Sequence, residues 1–265
     1  MNNLVLRDDK NGAAILTLNR PEKLNALSKD LFEDLEEHVE AIARATRSIG
    51  LVILRGAGAH FSAGYDMQEV YEHVRAHAKP HFHSEVIQKL ADLPQPVISA
   101  VQGHCSTGAL ELALAADLIV ASESARFSEV YARWGLTPVW GLSLRLPHRI
   151  GKAKASEMML TCRSYSGVEA AAMHLANFCF ADDRFEAELT RLASDILENS
   201  WYANQVNKRS LIAIDGLSLA EAHGLELFKN EGLAPDAAKR VGKFLSEHPD
   251  AGGAQPAPHQ GRRED

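Results

Sequence analysis

A glutamate one turn inside an apolar helix, with a glycine at the first helical position, is a pairing that can steady an oxygen turning anionic and carry a proton beside it. The stretch Gly-His-Cys-Ser-Thr-Gly-Ala-Leu-Glu-Leu-Ala-Leu-Ala-Ala-Asp, from Gly103 to Asp117, has that form. Gly103 breaks the β-branched run Val97 to Val101, small and polar residues follow, and an apolar helix starts at Gly108. The first N–H groups of a helix lack intrahelical acceptors and sit at the positive end of its dipole, so Gly108 can offer its N–H to an oxygen that gains charge. Glu111, among Ala, Leu and Gly, faces a buried polar site or a cleft; an ordinary first-turn glutamate favoured by the dipole is the other reading.

Elements on either side must hold this turn in place. Leu4 to Arg7 and Ala13 to Leu18 read as strands of a hairpin, with Asp8 to Gly12 as turn. Ser28 is placed to cap a helix whose apolar stripe is Leu31, Leu35, Val39 and Ile42. Leu51 to Leu54 is a buried-type strand, Arg55 to Gly64 a loop, and helical turns run to about Ala91 with a break at Pro80. Beyond the central turn, Leu118 to Ala121 is a strand and Phe127 opens an extended stretch towards Pro138. Helix signals resume at Lys152, Ser166 to Glu169 has the form of a capping box, and Glu186 to Glu198 carries apolar residues at helical spacing. Strands alternating with helices, then helices alone, predict an α/β core with a helical C-terminal part.

Composition narrows the function classes. At 265 residues and 46% apolar content the chain can bury a full core. The apolar run Ala109 to Ala121 is interrupted by Glu111 and Asp117 and is too short to span a bilayer, and no basic-then-apolar leader opens the sequence, so no membrane partner and a cytoplasmic location are expected. Cys105, Cys162 and Cys179 give an odd count without metal-ligand spacing, consistent with reduced thiols. His73 and His77 stand at i and i+4, but no glutamate lies in the zinc-binding frame between them, so the expectation is a solvated face and no metal. A net charge of −7 argues against a general nucleic-acid surface while allowing a local basic pocket.

Four motifs then carry a resemblance. Asn19-Arg20-Pro21-Glu22-Lys23-Leu24-Asn25-Ala26-Leu27, Phe61-Ser62-Ala63-Gly64-Tyr65-Asp66, Gly103 to Asp117, and Phe127 to Pro138 occur in the order and spacing of the enoyl-CoA hydratase/isomerase (crotonase) superfamily, over most of residues 4–200. The resemblance implies an α/β, crotonase-like spiral core of ββα units over 1–200 and a helical C-terminal region over 201–248. Residues 249–265, rich in Pro, Gly, Gln, Ala and charge, read as a disordered tail. It also implies homotrimers or dimers of trimers, and an acyl-CoA thioester as substrate, with no cofactor beyond the coenzyme A of that thioester. The positions matching the oxyanion-binding amides are Tyr65 and Gly108. Lys23 and Leu24, with Ala63, Gly64, Tyr65, Asp66, Met67 and Gln68, match stretches that contact coenzyme A, and Gly108 and Pro138 lie in the matching substrate-binding motifs. Lys23 could pair with a phosphate or simply be an exposed loop lysine.

Glu111 falls on the first of the two catalytic glutamates of the hydratases. The second falls on Tyr131, a poor base near neutral pH that either donates a proton or fills a wall of the pocket. Glu129, two residues earlier on the same side of an extended strand, could approach through a bulge. The resulting expectation is an enzyme that stabilises a thioester enolate, of the enoyl-CoA hydratase/isomerase type, acting as a lyase on a 2-enoyl-CoA. An acyl-CoA decarboxylase of the methylmalonyl-CoA type and a non-catalytic acyl-CoA-binding member are the alternatives. A nucleophilic hydrolase using Ser106 or Cys105 lacks an assignable His-Asp pair. Trp134, Trp140, Phe61 and Tyr131 are candidates for the pocket wall or the core.

Overall fold

The structure is a computed structural model that describes residues 3–76, 81–230 and 232–248. Val5–Lys10 (β1) and Ala13–Leu18 (β2) pair antiparallel, with Val5 opposite Leu18 and Lys10 opposite Ala13. The turn is therefore only Asn11-Gly12, both at positive φ, which is the conformation a two-residue hairpin demands. Asp8 to Lys10, expected in the turn, extend β1 because cross-strand pairing outweighs their local preference.

Ser28 accepts a hydrogen bond from the Leu31 N–H and opens Lys29–Arg44 (α1), whose buried stripe includes the expected Leu31, Leu35, Val39 and Ile42 together with Phe32. Leu51–Gly56 (β3), Met67–Ala76 (α2), His81–Ala91 (α3) and Val97–Val101 (β4) follow. The break expected at Pro80, and His77, lie outside the described residues. A short strand, His104–Ser106 (β5), then leads into Gly108–Ala113 (α4), and Leu118–Ser122 (β6) into Arg126–Ser128 (β7). The stretch after Phe127 is not extended as expected. β7 stops at Ser128 and Tyr131–Trp134 forms a 3-10 turn, so Glu129 and Tyr131 do not share one side of a strand.

Leu142–Thr161 (α5) starts well before Lys152 and is kinked at Gly151, where the backbone leaves helical angles. Ser164–Ser166 (β8), Gly167–Ala172 (α6) and Phe178–Phe180 (β9) follow; the reciprocal Ser166–Glu169 capping box is present. Phe185–Glu198 (α7), Trp201–Ile214 (α8), Leu219–Lys229 (α9) and Ala237–Glu247 (α10) complete the chain.

The strands form two sheets. The larger has the order β1-β2-β3-β4-β6-β9 and is parallel apart from the first hairpin; the smaller, β5-β7-β8, runs beside it. Two successive turns, β4-β5-α4 and β6-β7-α5, place one strand in each sheet and then a helix, which is the ββα spiral implied by the resemblance, while the turn after β3 reaches the small sheet only through the single bridge from Ser62 to Cys105. Both faces of the large sheet are covered, which is why its parallel strands read as unbroken apolar runs. Within β3, Val52 and Leu54 join a core with α1, α3, α4 and α5, whereas Leu51 and Ile53 pack with Phe185, Leu189 and Ala193 of α7.

The tail expected over 249–265 lies outside the described residues. The chain divides into two compact units between Arg209 and Ser210. The first contains both sheets. In the second, α9 and α10 bury no residue. No helix among the described residues is long and apolar enough to cross a membrane.

Candidate functional site

The segment before α2 is held by the first motif. Asn25, fully buried in a left-handed conformation, donates to the carbonyls of Ala57 and His60 and accepts at its side-chain oxygen from the Arg20 N–H. Its own carbonyl accepts from Ser62 Oγ at 2.7 Å. The Arg20 guanidinium donates to the Ala26 carbonyl and to Asp66 at 3.1 Å. Leu27 and Tyr65 then pair as an isolated parallel bridge, with Leu27 N–H donating to Gly64 O and Asp66 N–H to Leu27 O. That pairing turns the Tyr65 N–H away from Leu27.

Gly64 and Gly108 are fixed by close approach. Gly64 has φ +104°, and a Cβ there would lie 2.3 Å from Thr107 Oγ1 and 2.5 Å from the Ser106 carbonyl. At Gly108 a Cβ would lie 2.4 Å from the Trp140 ring. Thr107, before α4, sits at φ 50°, an uncommon angle for a β-branched residue. Among the described residues no acceptor takes the N–H of Tyr65 or of Gly108.

A cavity of about 550 Å³ is lined by Lys23, Ala63 to Met67, Val70, Ser106, Thr107, Tyr131 and Trp134 among others. A second, more polar cavity of about 390 Å³ shares Lys23 and Asp66 with it and is also lined by Gln68. Of the residues singled out in the sequence, Lys23, Ala63, Gly64, Tyr65, Asp66, Met67 and Tyr131 thus meet at one cavity. Gln68 belongs to its neighbour, and Leu24, Gly108, Glu111 and Pro138 lie outside both linings. Trp134 lines the cavity, while Phe61 and Trp140 are core.

Glu111 is completely buried. Its Oε2 accepts from the Tyr131 hydroxyl at 2.7 Å, and its Oε1 accepts from the backbone N–H groups of Trp140 at 2.9 Å and Leu142 at 3.1 Å. Burial raises its pKa, and the three donors act against that rise without cancelling it. Glu129 instead accepts the Tyr131 N–H at 2.7 Å, which locks the 3-10 turn, and burial raises its pKa as well. Burial, then the charge of Glu111, pushes the Tyr131 phenol far above its ordinary range. Tyr65 is shifted the same way, first by burial and then by Glu69 and Asp66; its hydroxyl lies 2.5 Å from His73 Nδ1.

Trp140 joins these parts. Its backbone holds Glu111, and its indole meets Gly108, packs on Tyr65 with centroids 4.8 Å apart and stacks on His83 at 4.9 Å. The amides of Trp140 and Leu142 are the functional groups the sequence reading missed. Their signal was the pair Pro138 and Gly141, a turn that leaves N–H groups unused by sheet or helix.

The nucleophilic arrangement is not formed. Cys105 is buried and its thiol is pushed up by burial, Ser106 Oγ accepts from Ser128 Oγ, and the exposed His104 ring packs against His60. His73 engages Tyr65, and His77 lies outside the described residues; among the described residues no three His, Cys, Asp or Glu side chains converge on a metal-sized site.

Comparison with known proteins gives a consistent pattern. The family model for enoyl-CoA hydratase/isomerase matches residues 8–228. The "Probable enoyl-CoA hydratase 1, peroxisomal" of Arabidopsis thaliana is 29% identical over 251 residues, 92% of this chain and 93% of that one. The crystal structure of an enoyl-CoA hydratase from Bacillus anthracis superposes with a TM-score of 0.87 at 28% identity, covering 92% of this chain and 97% of that one. A monofunctional enoyl-CoA isomerase from M. smegmatis superposes with a TM-score of 0.72 at 33% identity, covering 84% and 99%.

Proposed function

Since the chain belongs to the enoyl-CoA hydratase/isomerase family, we propose that its cavity receives an acyl-CoA with the thioester carbonyl between the N–H groups of Tyr65 and Gly108. The chain is an enzyme of that family, and an acyl-CoA substrate fits it. Drawing a proton from the carbon beside a thioester moves charge to the carbonyl oxygen, and two preset amides stabilise it where it develops. The observation that carries this reading is that both amides lack acceptors while their neighbours line one cavity. Lys23, at the junction of the two cavities, is placed to pair with a phosphate of the carrier. Glu111 is the proton store, and no cofactor beyond the substrate's own coenzyme A takes part.

The reaction is enolate chemistry on an enoyl-CoA. The decarboxylase reading shares the same amides and proton store, but among the described residues no cationic side chain other than Lys23 lines the larger cavity to receive a second carboxylate. The chain works in the cytoplasm as a homotrimer or a dimer of trimers. Three unpaired cysteines support the first statement. The second is supported by Leu219, Phe228, Val241 and Leu245, apolar side chains that α9 and α10 leave exposed on a single chain.

Calorimetry with butanoyl-CoA and butanoate tests the substrate class. The thioester is expected to bind and the free acid to bind far more weakly, because on this reading Lys23 and the stretch from Tyr65 to Gln68 contact the carrier; equal affinities would refute the reading.

A further inference from the structure

Glu111 has no opening of its own to the cavity. It is fully buried, does not contribute to the wall, and has both carboxylate oxygens occupied, Oε1 by two backbone amides and Oε2 by the Tyr131 hydroxyl. Of those three donors only Tyr131 is also part of the cavity wall. A proton that leaves the substrate for Glu111 must therefore cross the phenol. Resting on the acyl-CoA reading above, we propose that Tyr131 is the catalytic residue that meets the substrate's α-carbon and that Glu111 acts through it as a positioning residue and proton reservoir.

The step balances without a co-reactant. As the α-carbon–hydrogen bond breaks, its proton bonds to Tyr131 Oη, the proton already on that oxygen passes along the 2.7 Å hydrogen bond to Glu111 Oε2, and the electron pair moves to the thioester oxygen. Tyr131 is neutral before and after, so no phenolate has to form in this buried place. One negative charge passes from Glu111 to the enolate oxygen. The reverse sequence returns a proton to carbon, with protonated Glu111 resupplying the phenol. Glu129 supports the device by holding the Tyr131 N–H at 2.7 Å, which fixes the turn from which the ring projects. Next to Glu111 this wall presents the Tyr131 hydroxyl rather than a second carboxylate with a water between them, so the relay suits proton transfers at carbon better than water addition.

The test is exchange of the α-hydrogens of butanoyl-CoA in D2O, followed by mass spectrometry for wild type, Tyr131→Phe, Glu111→Gln and the double variant, with calorimetric binding of the same thioester. Each single variant is expected to lose about a hundredfold or more in exchange while binding stays within about tenfold. The double variant is expected to be no slower than the slower single one, since the two groups form one path. Exchange within about threefold of wild type in Tyr131→Phe, or losses that multiply in the double variant, would overturn the relay. If Tyr131→Phe does not fold, the wild type still decides. Loss of tritium from α-labelled butanoyl-CoA must be slower in D2O than in H2O, because a solvent-derived hydrogen moves between Tyr131 and Glu111 in the same step; equal rates would overturn it. A wild type that binds butanoyl-CoA without exchanging it overturns the relay alone, whereas failure to bind any thioester removes the acyl-CoA reading itself.

Discussion

Two tyrosines line one cavity and end in different surroundings. Tyr131 is 7% exposed, its hydroxyl bonded to a carboxylate that two backbone amides hold from behind. Tyr65 is half-buried, and its hydroxyl meets His73 on α2, a helix that buries only Val70. The first phenol is buried and held in place by its carboxylate partner. The second ring packs on Trp140, but its hydroxyl meets a helix that buries little apolar surface, where opening is cheap. On the proposed reading, the fixed proton path lies on the Tyr131 side and substrate enters on the Tyr65 side.

The sharpest way to break this contrast is Glu111→Gln. Turnover should fall by about 10²–10⁴ while acyl-CoA binding changes by no more than about tenfold, or ~1.4 kcal/mol, as read by steady-state rates beside calorimetry. Retained turnover would mean that the proton store lies elsewhere. Next in size is Gly108→Ala. The added methyl meets the buried Trp140 ring, so the variant should lose about 1–3 kcal/mol of stability in denaturant titration.

Tyr131→Glu changes the chemistry rather than the packing. A second carboxylate near Glu111 could hold water between them, so water addition to a 2-enoyl-CoA should rise, by a modest factor because the two acids raise one another's pKa. If hydration and every other activity fall together, the phenol is a working part of a different reaction.

The pH dependence of stability isolates the buried acid. Glu111 has a folded pKa above its ordinary 4.5, so the folded state holds the proton more tightly than the unfolded one. Wild-type stability should therefore drop as pH rises from about 4.5 through that raised value, and Glu111→Gln should show a smaller drop over the same window in denaturant titrations. The smallest effect is expected at His73→Ala, where losing one partly exposed hydrogen bond should weaken acyl-CoA binding by ~1 kcal/mol or less and leave the rate on bound substrate unchanged.

Much of this molecule was written in local sequence. The α1 stripe, the Ser28 cap, the Ser166–Glu169 capping box, the apolar strands β3 and β4, and the turn into α4 all follow from patterns within a few residues. The four motifs in register were enough to assign the family and, with it, the class of chemistry. The short strands β5, β8 and β9 were not legible, because three residues carry too little periodicity and are strands only through the neighbours they pair with. Nor was the fate of Glu129 and Tyr131. Counting along an extended chain put them on one face, but the 3-10 turn sends the carboxylate of one to the backbone of the other and the phenol to Glu111. The bond from the phenol to Glu111, like the capture of Glu111 by the amides of Trp140 and Leu142, is made between segments about twenty to thirty residues apart in sequence. A buried carboxylate must find donors wherever the fold supplies them, and only the packed tertiary structure fixes which ones they are.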